Sequence, residues 1–96
     1  MKRFMLLHVG FEPPTPELMA KWTAWFADTA PHTVENVGLR AAREISRDGA
    51  KDLGWGPDSL TGYTIINAES LDAAEAIARS NPFIHSIRVY ELAEHS

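Results

Sequence analysis

From Phe4 to Val9 the chain is apolar at consecutive positions apart from His8, and no other feature narrows the fold as much. A strand with one wet face alternates apolar and polar residues, so a run that avoids water on both faces must be covered on both. A helix is ruled out by the neighbouring residues, because Gly10 and the Pro13-Pro14 pair break helical register. The pattern places a first strand over Lys2–Val9 and a loop over Gly10–Pro14.

The remaining elements follow from local chemistry. Thr15-Pro16-Glu17 starts a helix: the threonine hydroxyl caps a free amide, proline loses no needed bond, and the glutamate meets the positive end of the dipole. Leu18, Trp22, Trp25, Phe26 and Thr29 recur at helical spacing, and Pro31 stops the helix near Ala30. A loop is expected from His32 to Gly38, then a second strand over Leu39–Ser46 and a turn at Arg47-Asp48-Gly49. Ala50–Thr61 reads as an ordered excursion, since Leu53 and Trp55 do not suit a disordered linker. A third strand over Gly62–Ala68 is followed by Ser70 capping a helix over Leu71–Arg79, ended by Asn81-Pro82. Ile84–Leu92 supplies the last strand. The order β-α-β-β-α-β predicts one α+β domain over residues 1–96, ferredoxin-like, with four antiparallel strands and two helices on one face. Two helices leave the other face of the sheet open, so a second copy of the chain is the expected cover and a homodimer the expected partner.

Composition removes several classes of function. With no cysteine, the chain has no disulfide, thiolate metal site or cysteine nucleophile. Nine Lys and Arg against thirteen Asp and Glu, without a basic cluster, argue against nucleic acid. The apolar start breaks at His8, too early for a signal peptide, and no stretch is long enough to span a membrane, so a soluble cytoplasmic protein is expected.

Four histidines, His8, His32, His85 and His95, show no spacing that shares a metal ion, and neither metal nor cofactor is expected. His8 is the leading candidate for chemistry: a titratable ring at the end of a buried strand suits a general base, while a histidine bonded to a loop carbonyl is the commoner use of such a position. Asp58, in Gly56-Pro57-Asp58-Ser59, is the second candidate, set against an ordinary turn aspartate. Trp22 and Tyr63 are candidates to hold a ring-shaped ligand, and Arg88 and Tyr90, on one strand face, to bind an anion or hydrogen-bond a ligand. Ser59 lacks the glycine elbow of a serine nucleophile, and Gly54-Trp55-Gly56 is too short for a phosphate loop.

Gly56-Pro57-Asp58-Ser59-Leu60-Thr61-Gly62-Tyr63, running into Ser70-Leu71-Asp72-Ala73-Ala74 and a last strand with Ile87-Arg88-Val89-Tyr90-Glu91, resembles the YCII-related or DGPF-domain family. The first helix, with Pro16-Glu17-Leu18-Met19, Trp22, Trp25 and Phe26, is similar to that family's as well. The resemblance implies a ferredoxin-like protomer forming a dimeric α+β barrel. Some members have a proposed catalytic histidine–aspartate pair, and one is linked to removing chloride from a chlorinated hydroxyquinone-type ring. The family histidine sits on the first helix, where this chain has none, so His8 with Asp58 is a substitute pair and not a match. Three functions stay open: a cofactor-free lyase or isomerase acting on a small molecule, a non-catalytic small-ligand-binding module, and a dimerisation domain.

Overall fold

The computed structural model describes residues 1–93, which leaves His95 outside the described residues. The strands are β1 (Lys2–Val9), β2 (Thr33–Gly38), β3 (Ala42–Ser46), β4 (Gly49–Leu53), β5 (Leu60–Ala68) and β6 (Ser86–Glu91). The helices are α1 (Pro16–Thr29) and α2 (Leu71–Arg79), with a short 3₁₀ turn over Ala30–His32. Four strands form one antiparallel sheet in the order β2-β5-β1-β6, the ferredoxin-like arrangement, while β3 and β4 pair only with each other.

Both helix starts use the expected caps. Thr15 Oγ1 accepts the Leu18 amide at 3.1 Å, and Ser70 Oγ accepts the Ala73 amide at 3.1 Å. The helices lie on the same face of the sheet. Phe4 and Leu6 of β1, with Ile66 and Ala68 of β5, pack with Trp25, Ala74 and Ala78 into one core. Trp25 is anchored by its indole N–H, which donates to Ser80 Oγ at 3.0 Å and so ties α1 to the end of α2. The opposite face carries Met5, Leu7, Tyr63, Ile65, Arg88 and Tyr90, as alternation and register require. No helix among the described residues is long and apolar enough to cross a membrane.

The middle of the chain corrects the sequence reading. The second strand of the sheet is Thr33–Gly38, where the pattern predicts a loop, and Ala42–Ser46 belongs to a separate hairpin with Gly49–Leu53. Thr33–Gly38 is an edge strand bonded only to β5, and half-exposure lets it carry Glu35, Asn36 and Gly38 without a continuous apolar signal. The sequence pattern places a strand of the sheet over Leu39–Ser46, yet every residue of the hairpin is exposed, Ile45 included. The turn at Arg47-Asp48 is where expected, and Gly49 has the positive φ, +124°, that favours glycine. Ala50–Thr61 is ordered: after β4 the loop is pinned to the end of β1, with the Gly10 amide donating to the Ser59 carbonyl at 2.7 Å and the Phe11 amide to that of Gly56 at 3.0 Å.

Candidate functional site

Three glycines, Gly10, Gly38 and Gly62, line a cavity at the end of β1. His8 faces the helix side, and its cross-strand neighbour on β5 is Gly62, which in turn pairs with Gly38 of β2. A side chain cannot be accommodated at residue 62, because its Cβ would stand 2.7 Å from the Val37 carbonyl oxygen. Gly10, at φ +112°, turns the chain sharply past His85. The cavity, about 460 Å³, lies between sheet and α1 and is within the range of small-ligand sites. Trp22, Phe26 and Leu18 of α1 form its apolar wall, and Phe11 and Met19 also line it.

His8 is 8% exposed and packs edge-on against Trp22, ring centroids 5.0 Å apart. Its Nε2 lies 2.9 Å from Thr64 Oγ1, and that hydroxyl donates to Asn36 Oδ1 at 2.6 Å. A threonine hydroxyl has one proton, and here Asn36 receives it. His8 is therefore the donor to Thr64, and its proton sits on Nε2. The other nitrogen, Nδ1, is a bare lone pair, sealed from water and without a hydrogen-bond partner. Burial among rings with no carboxylate partner pushes the His8 pKa down from 6.5 to about 4, so the ring is neutral at physiological pH. An unpartnered buried nitrogen is uncommon and calls for a physical explanation.

Of the residues singled out from sequence, His8 and Trp22 come together in this cavity. Tyr63 borders it through its strand, but its side chain lies on the opposite face, where the phenol donates to Glu35 Oε1 at 3.4 Å. Desolvation, and then the Glu35 carboxylate, raise the Tyr63 pKa. Arg88 and Tyr90 are on that opposite face too, beside Leu7 and Met5. The candidate pair His8 and Asp58 is not brought together: one nitrogen of His8 is bonded to Thr64 and the other has no partner. Asp58 lines a second hollow, about 660 Å³, at the base of the hairpin with Leu53, Trp55 and Leu60. That hollow is the larger of the two, but its walls are mostly exposed side chains and it contains no buried titratable group.

Sequence reasoning misses Thr64 and Asn36. Thr64 has a signal, as the polar residue of a run otherwise built of Tyr63, Ile65 and Ile66. Asn36 has none, because the sequence pattern puts no strand there. Among the described residues no group of three or more His, Cys, Asp or Glu side chains is placed to hold a metal ion.

Fold and site together define a ferredoxin-like α+β protomer with an apolar cavity against its helix face. Among solved structures it is similar to the 5-chloro-2-hydroxyhydroquinone dehydrochlorinase of Burkholderia phenoliruptrix AC1100, in a complex with 2,5-dihydroxybenzoquinone. The TM-score is 0.58 at 13% identity, over 97% of this chain and 95% of that one, which shows a shared fold. No protein-family model matches the sequence, and no curated protein matches it.

Proposed function

We propose that the cavity beside His8 binds a small planar ring and that the protein is a cofactor-free enzyme of the lyase or isomerase type. The observation that carries this reading is the buried neutral His8 with an unpartnered nitrogen, in the wall of an apolar cavity of ligand size. Trp22 and Phe26 offer ring faces, and His8 Nδ1 is the proton acceptor. Nδ1 is closed off, so access needs a side-chain rotation. We assign it to Trp22, the ring packed against His8 at 5.0 Å. Thr64 and Asn36 take the orienting role considered for Asp58, since their chain of hydrogen bonds sets which nitrogen is bare. A pKa of about 4 makes the resting imidazole a weak base. It becomes a stronger one only as negative charge develops on a ring held beside it, which favours the transition state over the bound substrate. The likeness in fold to an enzyme that acts on a hydroxylated ring agrees with this reading.

The same low basicity favours a second reading, a module that holds a ring without transforming it. A thermal-shift and turnover screen with hydroxylated benzenes and quinones separates the two. The enzyme reading expects a rise in melting temperature together with conversion of the ring, both lost in His8→Phe. Stabilisation without conversion favours the binding module. No stabilisation by any ring refutes both.

We further propose that the chain is a cytoplasmic member of the YCII-related family and forms a homodimer. The support for the dimer is the face carrying Met5, Leu7, Ile65 and Tyr90, which neither helix covers. Sheet-to-sheet packing of two copies would bury about 1,200–2,000 Å² in total. Light scattering on a size-exclusion column should give twice the 10.7 kDa chain mass or a multiple of it, and a stable monomer would contradict the proposal.

A further inference from the structure

We propose that the cavity selects an uncharged ring and rejects the corresponding carboxylate, an inference that rests on the proposed ring-binding role and adds the ligand's charge to it. The residues lining the cavity include no Lys or Arg, and the one carboxylate among them is Glu12. Arg40 lines a separate hollow that shares Phe11 and Thr61 with the cavity, and Arg88 lies on the opposite face of the sheet.

The polar corner is no better prepared for an anion, because its protons are already in use. The Thr61 hydroxyl donates to the His8 carbonyl at 3.3 Å, and the Thr64 hydroxyl donates to Asn36. The His8 Nε2 proton goes to Thr64, which leaves Nδ1 as an acceptor. The side-chain donors that remain in the lining, the amide nitrogen of Asn36 and the indole N–H of Trp22, carry no charge. A carboxylate entering here would lose its water and meet neutral donors and a bare nitrogen lone pair, with Glu12 the one ionised group in the lining. Transfer of an ion from water into such surroundings is strongly unfavourable unless a counter-charge or several donors replace the water. A hydroxyl or carboxamide fits the same corner, since it donates toward a lone pair and accepts from an amide. Burial also holds His8 neutral, so the ring supplies no positive charge to a bound anion.

The test is a pair of molecules of one shape and two charges, benzamide and benzoate, with 4-hydroxybenzamide and 4-hydroxybenzoate as a second pair. Titration at neutral pH is followed by the indole N–H resonance of Trp22, identified by substitution among the three tryptophans of the chain. The amide of each pair should bind about tenfold or more tighter than the carboxylate, from the missing counter-charge alone. Glu12→Gln should raise carboxylate affinity more than amide affinity and so narrow the ratio. A carboxylate that binds as well as its amide overturns the selectivity and leaves the cavity as a ligand site. If neither member of either pair shifts Trp22 at millimolar concentration, the site reading fails and this inference with it.

Discussion

Acidifying the protein from about pH 7.5 to about pH 4.5 should remove stability through one side chain, His8. Its pKa is about 4 in the folded protein, against 6.5 for an unperturbed histidine, because burial disfavours the imidazolium. Between these values the unfolded chain binds a proton at this position and the folded chain does not. Stability therefore rises with pH across the window. The contribution is complete above 6.5, declines as the pH falls toward 4, and declines no further once both states are protonated. A separation of about 2.5 pH units at about 1.4 kcal/mol each amounts to ~3 kcal/mol, of which roughly 2.5 is lost by pH 4.5. Since His8 is almost wholly buried, solvent screening takes little from that figure. Urea unfolding of the parent and of His8→Phe at several pH values isolates the effect, because the other titrating groups are common to both proteins. The parent's stability relative to the variant should fall by about 2–3 kcal/mol across the window. Parallel curves for the two proteins would refute the reasoning, and would mean that the folded state accommodates the imidazolium.

Two further substitutions test the packing beneath the site. Leu6→Ala deletes a fully buried side chain at the centre of the core and should lower unfolding stability by about 2–5 kcal/mol, read from the urea midpoint. A loss under about 1 kcal/mol would mean that the helices do not pack on this face of β1. Gly10→Ala places a Cβ 2.7 Å from that of His85 at a φ of +112°, so strain and clash should together lower stability by about 2 kcal/mol or more. A neutral result in thermal unfolding would mean that the end of β1 and the start of β6 stand farther apart than this contact requires.

How much can be read from the chain depends on whether the deciding contacts are local. The caps at Thr15 and Ser70, the breaks at Pro31 and Pro82, and the turn at Arg47-Asp48 are set by residues within a few positions of one another, so they are legible. β1 and β5 are legible because apolar and β-favouring residues are concentrated from Phe4 to Val9 and from Tyr63 to Ile66. The edge strand Thr33–Gly38 is not, since its place depends on hydrogen bonds to β5, about thirty residues away along the chain, and half-exposure leaves its composition unremarkable. The hairpin misleads for the converse reason, because Ile45 and Leu53 look like core residues yet face solvent. The site divides along the same line. Sequence determined that a histidine would stand at the end of a buried strand and that aromatic residues would line one helix. Only the tertiary structure decided what surrounds that histidine: a glycine opposite it on β5, and a threonine and an asparagine from two other strands in place of Asp58. Thr64 is separated from His8 by 56 residues, and Asn36 lies on a strand whose composition does not announce it. Cross-strand register, which brings the three together, is a property of the assembled sheet.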